Sequence, residues 1–482
     1  MILALDIGTS SARAAAFDES GRAIDGLFHR IPYEPTVGRD GAVEHDPKRL
    51  LDAVAGCLDV LHGRRRGEEI LAVGVTTFWH GLLGFDDGGR PVTPVFTWAD
   101  TRSAPDASLL RSALDEAALH ARTGCHIHAC YWPAKLRWLA RERPAEVGRV
   151  ARWGSIGELL ELELFGTAGT SVSMASGTGL LDQETLAWDP EALAAAGVEE
   201  TRLFPLVDRT AGRRGLRPPW AGRWPALRSA PWFSAVGDGA AGSVGSDCLD
   251  PARIALNVGT SAALRVVGGP SAPPPSGLWR YRLDRRTSLV GGALSEGGNV
   301  YAWARKVLRV ADDEATEAAL AALGADAHGL CVLPFLAGER SPGWRGDRRG
   351  VLSGLTLDTT AVEIVRAGLE AVALRLALVY ERLRPLAGAD HLIIASGGAL
   401  AASPTWAQIV ADALGHPLSL SREEEATSRG AALLALDALG IRRLAPSAPA
   451  PLGATFVPDP ASHARYTEAL ARQRALDRAL DP

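Results

Sequence analysis

Asp238 stands in Ser234-Ala-Val-Gly-Asp-Gly-Ala-Ala241, a single carboxylate framed by residues too small to cover it. A general base needs such access to the proton it removes. The same Gly-Asp-Gly setting suits a helix start with Asp238 as its N-cap, and both roles stay open at this point. Two further segments suit phosphate chemistry: Gly8-Thr9-Ser10 and Gly259-Thr260-Ser261. Glycine lets the backbone approach a ligand closely, and the hydroxyls add donors beside the turn N–H groups, so such a turn can cradle phosphate oxygens. Asp6 precedes the first turn and could hold Mg²⁺ through water, because Mg²⁺ keeps much of its hydration shell. Trp79-His80 offers an aromatic face for the C–H side of a sugar and a hydrogen-bonding ring for its hydroxyls, with a buried core Trp79 as the alternative. Trp98, Asp100 and Arg102 add a second dense polar and aromatic set. Asp100 and Arg102 could also simply pair with each other.

The elements that must position these residues are readable. Ile2 to Ile7 and Ala12 to Phe17 are apolar runs around the first turn, and Arg22 to Arg30 follows as a third strand, so the chain opens as an antiparallel meander. Pro47 to Leu61 reads as helix and Leu71 to Val75 as a buried strand. Ala4-Leu-Asp-Ile-Gly-Thr-Ser10 recurs as Ala255-Leu-Asn-Val-Gly-Thr-Ser261. This indicates two similar domains from a duplication, each opening with a hairpin. The boundary is expected near Ser246 to Ala252, giving domains 1–247 and 248–482. The proline-rich stretch Pro270 to Gly277, and likewise Arg209 to Pro231, reads as surface loop. Thr360 with Glu363 forms a capping box, and the following helix places Val362, Val365, Leu369, Val372, Leu376 and Val379 on one face. His391 to Ser396 is a strand running into Gly397-Gly398. Ser403 with Pro404 opens a helix that ends near Gly415.

Composition narrows the field. Across 482 residues, 47% are hydrophobic and 22% charged, which excludes a mainly disordered chain. The net charge of −5 gives no reason to expect nucleic-acid binding. No apolar run reaches the roughly 18 residues of a membrane span, and the N-terminus lacks a basic leader, so a cytoplasmic protein is expected. The five cysteines, Cys57, Cys125, Cys130, Cys248 and Cys331, are too scattered for a disulfide framework. Cys125 and Cys130, with His126 and His128 between them, have awkward spacing for zinc and read as packing or pocket lining. Lysines are only Lys48, Lys135 and Lys306, leaving few candidates for lysine chemistry.

Taken in order, Met1 to Arg13, Trp79-His80, Trp98-Ala-Asp-Thr-Arg102, Val236-Gly-Asp-Gly-Ala240, Asn257-Val-Gly-Thr260, Pro334-Phe-Leu-Ala-Gly-Glu-Arg340 and Ala395-Ser-Gly-Gly-Ala399 resemble the FGGY carbohydrate kinases. The resemblance spans essentially the whole chain, and the ordered set is specific although each piece is not. Phe78-Trp-His80, Ser171 to Asp182 and Glu296-Gly-Gly-Asn-Val300 are most similar to gluconate kinases within that family. The resemblance implies an α/β fold of two duplicated actin-like, ribonuclease-H-like domains closing around ATP, Mg²⁺ and a small sugar or sugar acid. A homodimer is left open. Asp238 would be the catalytic base. Asp6, Gly8, Thr9, Ser10 and Arg13 would meet the nucleotide or its metal from one side, and Gly259 and Thr260 from the other. Gly397 and Gly398 would lie along the adenosine, while Trp79, His80, Asp100 and Asp238 would line the sugar pocket. Many family members carry Asn a few residues after the Gly-Gly pair; here Ala402-Ser403 stand there, and Ser403 reads as a helix cap only.

The implied reaction is transfer of the ATP γ-phosphoryl group to a sugar acid, with D-gluconate giving 6-phosphogluconate. An anionic substrate calls for a cation or several donors, and His80, Lys135 and Arg102 are the candidates. The alternatives are an FGGY kinase for a ketopentose or polyol, an actin- or chaperone-type ATPase, and a sugar-binding regulator.

Overall fold

Strand β1 (Ile2–Ile7) pairs antiparallel with β2 (Ser11–Phe17), which places Asp6 opposite Arg13 across the turn. This is seen in a computed structural model that describes residues 1–65, 67–268, 273–444 and 451–480. β3 (Ala23–Pro32) continues the meander, with a register shift between Ala15 and Phe17. Helix α1 (Pro47–Arg64) then crosses back. Asp46 caps it by accepting from the Lys48 N–H, and Pro47 occupies a first-turn position where no N–H is needed. β4 (Ala72–Thr77) lies parallel to β1 with Thr76 level with Asp6. β5 (Val236–Gly237) pairs with the C-terminal end of β4 and runs directly into α2 (Asp238–Gly245).

The second half repeats this plan. β6 (Arg253–Val258) and β7 (Ala262–Val267) form the second hairpin. β8 (Trp279–Arg282) and β9 (Ser288–Leu294) extend the sheet on the β7 side. After α3 (Ala361–Leu383), β10 (Leu392–Ser396) lies parallel to β6, with Ser396 level with Asn257 just as Thr76 is level with Asp6. β10 gives way to α4 (Gly398–Ala402) and α5 (Pro404–Leu414), and β11 (Leu418–Ser421) joins the sheet beside β10. The repeated heptapeptide is therefore repeated architecture: two mixed sheets, each built around a hairpin with a parallel strand at its side.

Helix α6 (Ala426–Ala438) comes from the second half of the chain but packs on β1 and β4 of the first sheet. Its Ala431 to Leu436 share one apolar cluster with Ile2, Leu5 and Val73. It crosses α2 at backbone contact distance. A Cβ on Gly245 would lie 1.7 Å from the Ala426 carbonyl oxygen, and one on Gly430 would lie 1.8 Å from that of Ala241.

Two expectations need revision. Arg209 to Pro231 is not simply surface loop. Gly212–Arg213 forms an edge strand on Trp232–Phe233, and Trp224 and Leu227 are buried in the first core. The Trp224 indole N–H donates to Asp59, which also pairs with Arg223. Arginine-rich spacing hid indoles that need both burial and a polar partner. Helix α3, read as one apolar face, is buried almost all round from Val365 to Tyr380. Its charged residues are accommodated in pairs: Arg366 with Glu370 at 2.5 Å, and Arg375 with Glu339 and Asp477. The Thr360–Glu363 capping box is present, and Gly415 closes α5 in the left-handed conformation. Pro270 to Ala272 lie outside the described residues. The rest of that stretch is partly sunk, with Pro274 and Gly277 buried.

Candidate active site

Trp79 and Asp238 reach one recess because a single segment holds both. Ser171 donates its hydroxyl to the Ala235 carbonyl, the Gly237 N–H donates to the Ser173 hydroxyl, and the Trp79 indole N–H donates to the Ser173 carbonyl at 2.9 Å. Gly237 is required here: a Cβ would lie 1.9 Å from the Trp79 ring. Gly237 is the N-cap of α2, and Asp238 is the first helical residue. Asp238 is thus not the N-cap. One of its carboxylate oxygens accepts from the Gly239 N–H at 2.7 Å, and the side chain lines the recess. Burial pushes its pKa above the ordinary carboxylate value, opposed by the Arg265 charge and by backbone N–H bonds.

The recess encloses about 560 Å³ of empty space including its open mouth. Trp79, Trp279 and Tyr281 form its aromatic wall, the last two stacked at 4.1 Å between ring centres. His80 has a positive φ of 68°, which turns its ring into the wall. Its Nδ1 lies 2.5 Å from the Gly177 carbonyl, and burial lowers its pKa to about 3. His80 is therefore neutral near pH 7, with its Nδ1–H donated to Gly177. It can offer a substrate a hydrogen-bond acceptor but no positive charge, which removes it from the candidate cations.

The other two candidate cations, unlike His80, do not line the recess. Arg102 is held by Asp100 and Glu44 and lies over the Trp138 ring at 4.4 Å. Lys135 is buried, donates to the Ala129 carbonyl at 2.6 Å, and has its pKa lowered to about 8 by burial. Asp100 is likewise absent from the lining: its carboxylate accepts from Arg102 and from the Val43 N–H. The arginines that do face the recess are Arg265 and Arg340. Arg340 donates to the Leu294 carbonyl and lies over the Trp98 ring at 4.4 Å. Sequence reading passed over both, and over Trp279, Tyr281 and Trp344. The available signal was period-two alternation: Ser261, Ala263 and Arg265 share one face of a strand, as do Trp279 and Tyr281.

Beside the recess lie the two turns. Thr9 accepts from the Trp98 indole at 3.2 Å, and the Gly8 carbonyl accepts from Tyr33 at 2.6 Å. Asp6 is buried and paired with Arg13 at 2.8 Å. Burial raises its pKa to about 7, Arg13 opposes the rise, and the Asp238 and Glu425 carboxylates add to it. On the opposite side the Gly259 carbonyl accepts from Gly298 at 2.7 Å, and that of Thr260 from Asn299. A Cβ on Gly259 would meet only Asn257 Oδ1, at 3.9 Å, and one on Gly398 would meet nothing within 4 Å. Protein packing thus does not demand glycine at either place. Gly397 differs: its φ is 103°, and a Cβ would lie 2.3 Å from the Val258 carbonyl. Next to Gly298 and Ala399 a second cavity opens, lined by Tyr301, Glu317, Leu369 and Ser403. Ser403 caps α5 as expected, but it also faces this cavity.

Cys125 and Cys130 are buried free thiols, and Cys130 lines the recess. Among the described residues, Asp326, His328 and Glu370 lie close enough for a metal, yet Glu370 is already occupied by Arg366, Tyr466 and His328. No helix among the described residues is long and apolar enough to cross a membrane.

A duplicated α/β architecture with a carboxylate at a helix head and a glycine turn in each half defines a two-domain, actin-like class of fold. Residues 1–245 match the FGGY family of carbohydrate kinases, N-terminal domain, and residues 254–439 match its C-terminal domain; the chain belongs to this family. It is 28% identical to the gluconokinase of Bacillus subtilis (strain 168), over 91% of this chain and 88% of that protein. It is 31% identical to the glycerol kinase of Rhodospirillum centenum, over 90% of this chain and 88% of that protein. The solved xylulose kinase from Lactobacillus acidophilus superposes with a TM-score of 0.90 at 26% identity, covering 99% of this chain and 98% of that one.

Proposed function

We propose that this carbohydrate kinase transfers the γ-phosphoryl group of ATP to a hydroxyl of a sugar acid, converting D-gluconate to 6-phosphogluconate. The observation that carries the reading is the makeup of the recess: one accessible carboxylate, Asp238, within an aromatic wall that also presents Arg265 and Arg340. The similarity to a gluconokinase agrees with it.

Asp238 accepts the proton of the substrate hydroxyl as that oxygen attacks the γ-phosphorus. The bond from the γ-phosphorus to the β,γ-bridging oxygen breaks, and ADP departs. A carboxylate with a raised pKa is the stronger base for this step. Phosphoryl transfer asks the protein mainly for positioning and charge stabilisation. Gly8, Thr9, Ser10 and Arg13 on one side, and Gly259 and Thr260 on the other, hold the phosphates. Gly397 and Gly398 border the adenosine, which occupies the neighbouring cavity beside Tyr301 and Ser403. Asp6, a buried carboxylate paired with Arg13 beside the first turn, would hold Mg²⁺ through water. When bound, the ion neutralises phosphate charge during transfer. Trp79 and His80 orient the sugar.

A neutral ketopentose is the second reading, favoured by the likeness to a xylulose kinase. A coupled ADP-release assay over sugar acids, polyols and pentoses tests both. The expected result is a higher kcat/KM for D-gluconate than for D-xylulose or glycerol; a preference for D-xylulose would replace the first reading with the second.

A further inference from the structure

Arg265 is a charged residue in an otherwise apolar strand, Ala-Ala-Leu-Arg-Val-Val over β7. The strand alternation brings Ser261, Ala263 and Arg265 to the recess face, and all three line it. Its guanidinium packs over Gly239: a Cβ there would lie 2.7 Å from Arg265 Nε. Arg265 makes no hydrogen bond and no ion pair among the described residues, and its Nε is buried without an acceptor. Arg340, 8% exposed, uses one terminal nitrogen on the Leu294 carbonyl and likewise leaves its Nε buried without an acceptor.

A buried cation without a partner is costly. Here Arg265, and Arg340 with only the Leu294 carbonyl and the Trp98 ring to hold it, face one recess whose lining contains a single carboxylate, Asp238. Burial lowers the Arg265 pKa, the Asp238 carboxylate opposes that, and the Arg340 charge adds to it. Closing the recess over a neutral sugar would leave that excess positive charge uncompensated. An anionic group on the substrate would remove it, and a planar carboxylate matches the guanidinium fork. The site is thus built to be completed by a ligand that brings its own negative charge.

We propose that Arg265 and Arg340 together receive the carboxylate of the substrate, and that this pair selects sugar acids over neutral sugars. The proposal rests on the sugar-acid reading above and assigns it to particular residues. Arg265 is rooted four residues beyond Ser261, roughly 13 Å along the strand at about 3.3 Å per residue. From there its guanidinium reaches the Asp238-Gly239 helix head, while Arg340 faces the same recess from a separate segment.

Calorimetric titration of the full-length protein with D-gluconate and with D-glucitol, its neutral counterpart, tests this. Wild type should bind gluconate more tightly. Arg265→Gln should weaken gluconate binding by about 10- to 100-fold, the range for losing a hydrogen bond to a charged group, and leave glucitol binding largely unchanged. A thermal melt of the unliganded variant checks that it is folded. Equal losses for both ligands would overturn the proposal and make Arg265 a positioning residue for Asp238 or for the phosphates; no loss for gluconate would overturn it too. Should Arg265→Gln fail to fold, Arg265→Lys carries the test. It keeps the charge but not the fork, and should still weaken gluconate selectively. Wild type binding glucitol as well as gluconate would instead sink the sugar-acid reading itself, a result visible before any variant is made.

Discussion

Asp238 is the residue on which the chemistry turns, and its surroundings make its behaviour testable. Replacing it by Asn preserves shape and the hydrogen bond from Gly239 but removes the proton acceptor. Asp238→Asn should fold normally and bind ATP analogues, with turnover reduced at least about 100-fold, the lower range for losing a general base. Steady-state kinetics beside a thermal melt measures this, and near-normal turnover would reduce Asp238 to a helix-start residue. The pH dependence has a definite sign. Burial raises the pKa of Asp238, so the free enzyme must lose that proton before it can act. kcat/KM should therefore fall on acidification through a pKa above the ordinary carboxylate value of 3.8, and that limb should vanish in the Asn variant. The candidates for a cation show where residue types alone mislead. Arg102 is four residues from the recess residue Trp98, yet Asp100 and Glu44 hold it elsewhere. His80 is in the recess but is kept neutral by burial. The Asp100–Arg102 pair is open from the sequence and is present in the structure, whereas Glu44 as a further partner and the burial of His80 depend on what the fold delivers.

The hairpin is the element that carries the nucleotide argument. The heptapeptide repeat was legible because it is local: strand, turn and strand lie within one short window, and the structure builds both copies with the same pairing. The glycines of the turns can then be sorted by what a side chain would meet. Gly397 is demanded by its backbone, whereas Gly259 faces open space in the protein alone. Gly259→Val should accordingly leave the fold intact while weakening a non-hydrolysable ATP analogue, because a β-branched side chain would occupy the phosphate approach. Isothermal titration reads this directly, and unchanged affinity would make the second turn merely structural. What stayed hidden at this scale were elements defined by distant contacts. The edge strand Gly212–Arg213 exists only because Trp232–Phe233 lies beside it, and the burial of α3 on every side requires neighbours more than 90 residues away, such as Asp477. Arg265 and Arg340 escaped notice for the same reason: their significance lies in meeting across one recess from separate segments.

At the scale of the molecule, two sheets of common plan supply opposite walls of the candidate site, and α6 returns from the second half to pack on the first. Several ties span the halves. Arg209 pairs with Asp284 and Asp437, and Arg111 donates to the carbonyls of both Ile127 and Trp344. The overall architecture could be anticipated from the repeat and from the ordered family motifs, whereas the composition of the substrate recess could not. The proposed reaction takes phosphate from ATP and places it on a sugar acid. Phosphorus NMR of the wild-type protein with MgATP and D-gluconate tests that most directly. A new phosphomonoester resonance coupled to the C6 methylene protons, growing in step with ADP, is the result expected; ATP consumed only to inorganic phosphate, or left untouched while D-xylulose or glycerol is phosphorylated, would contradict it.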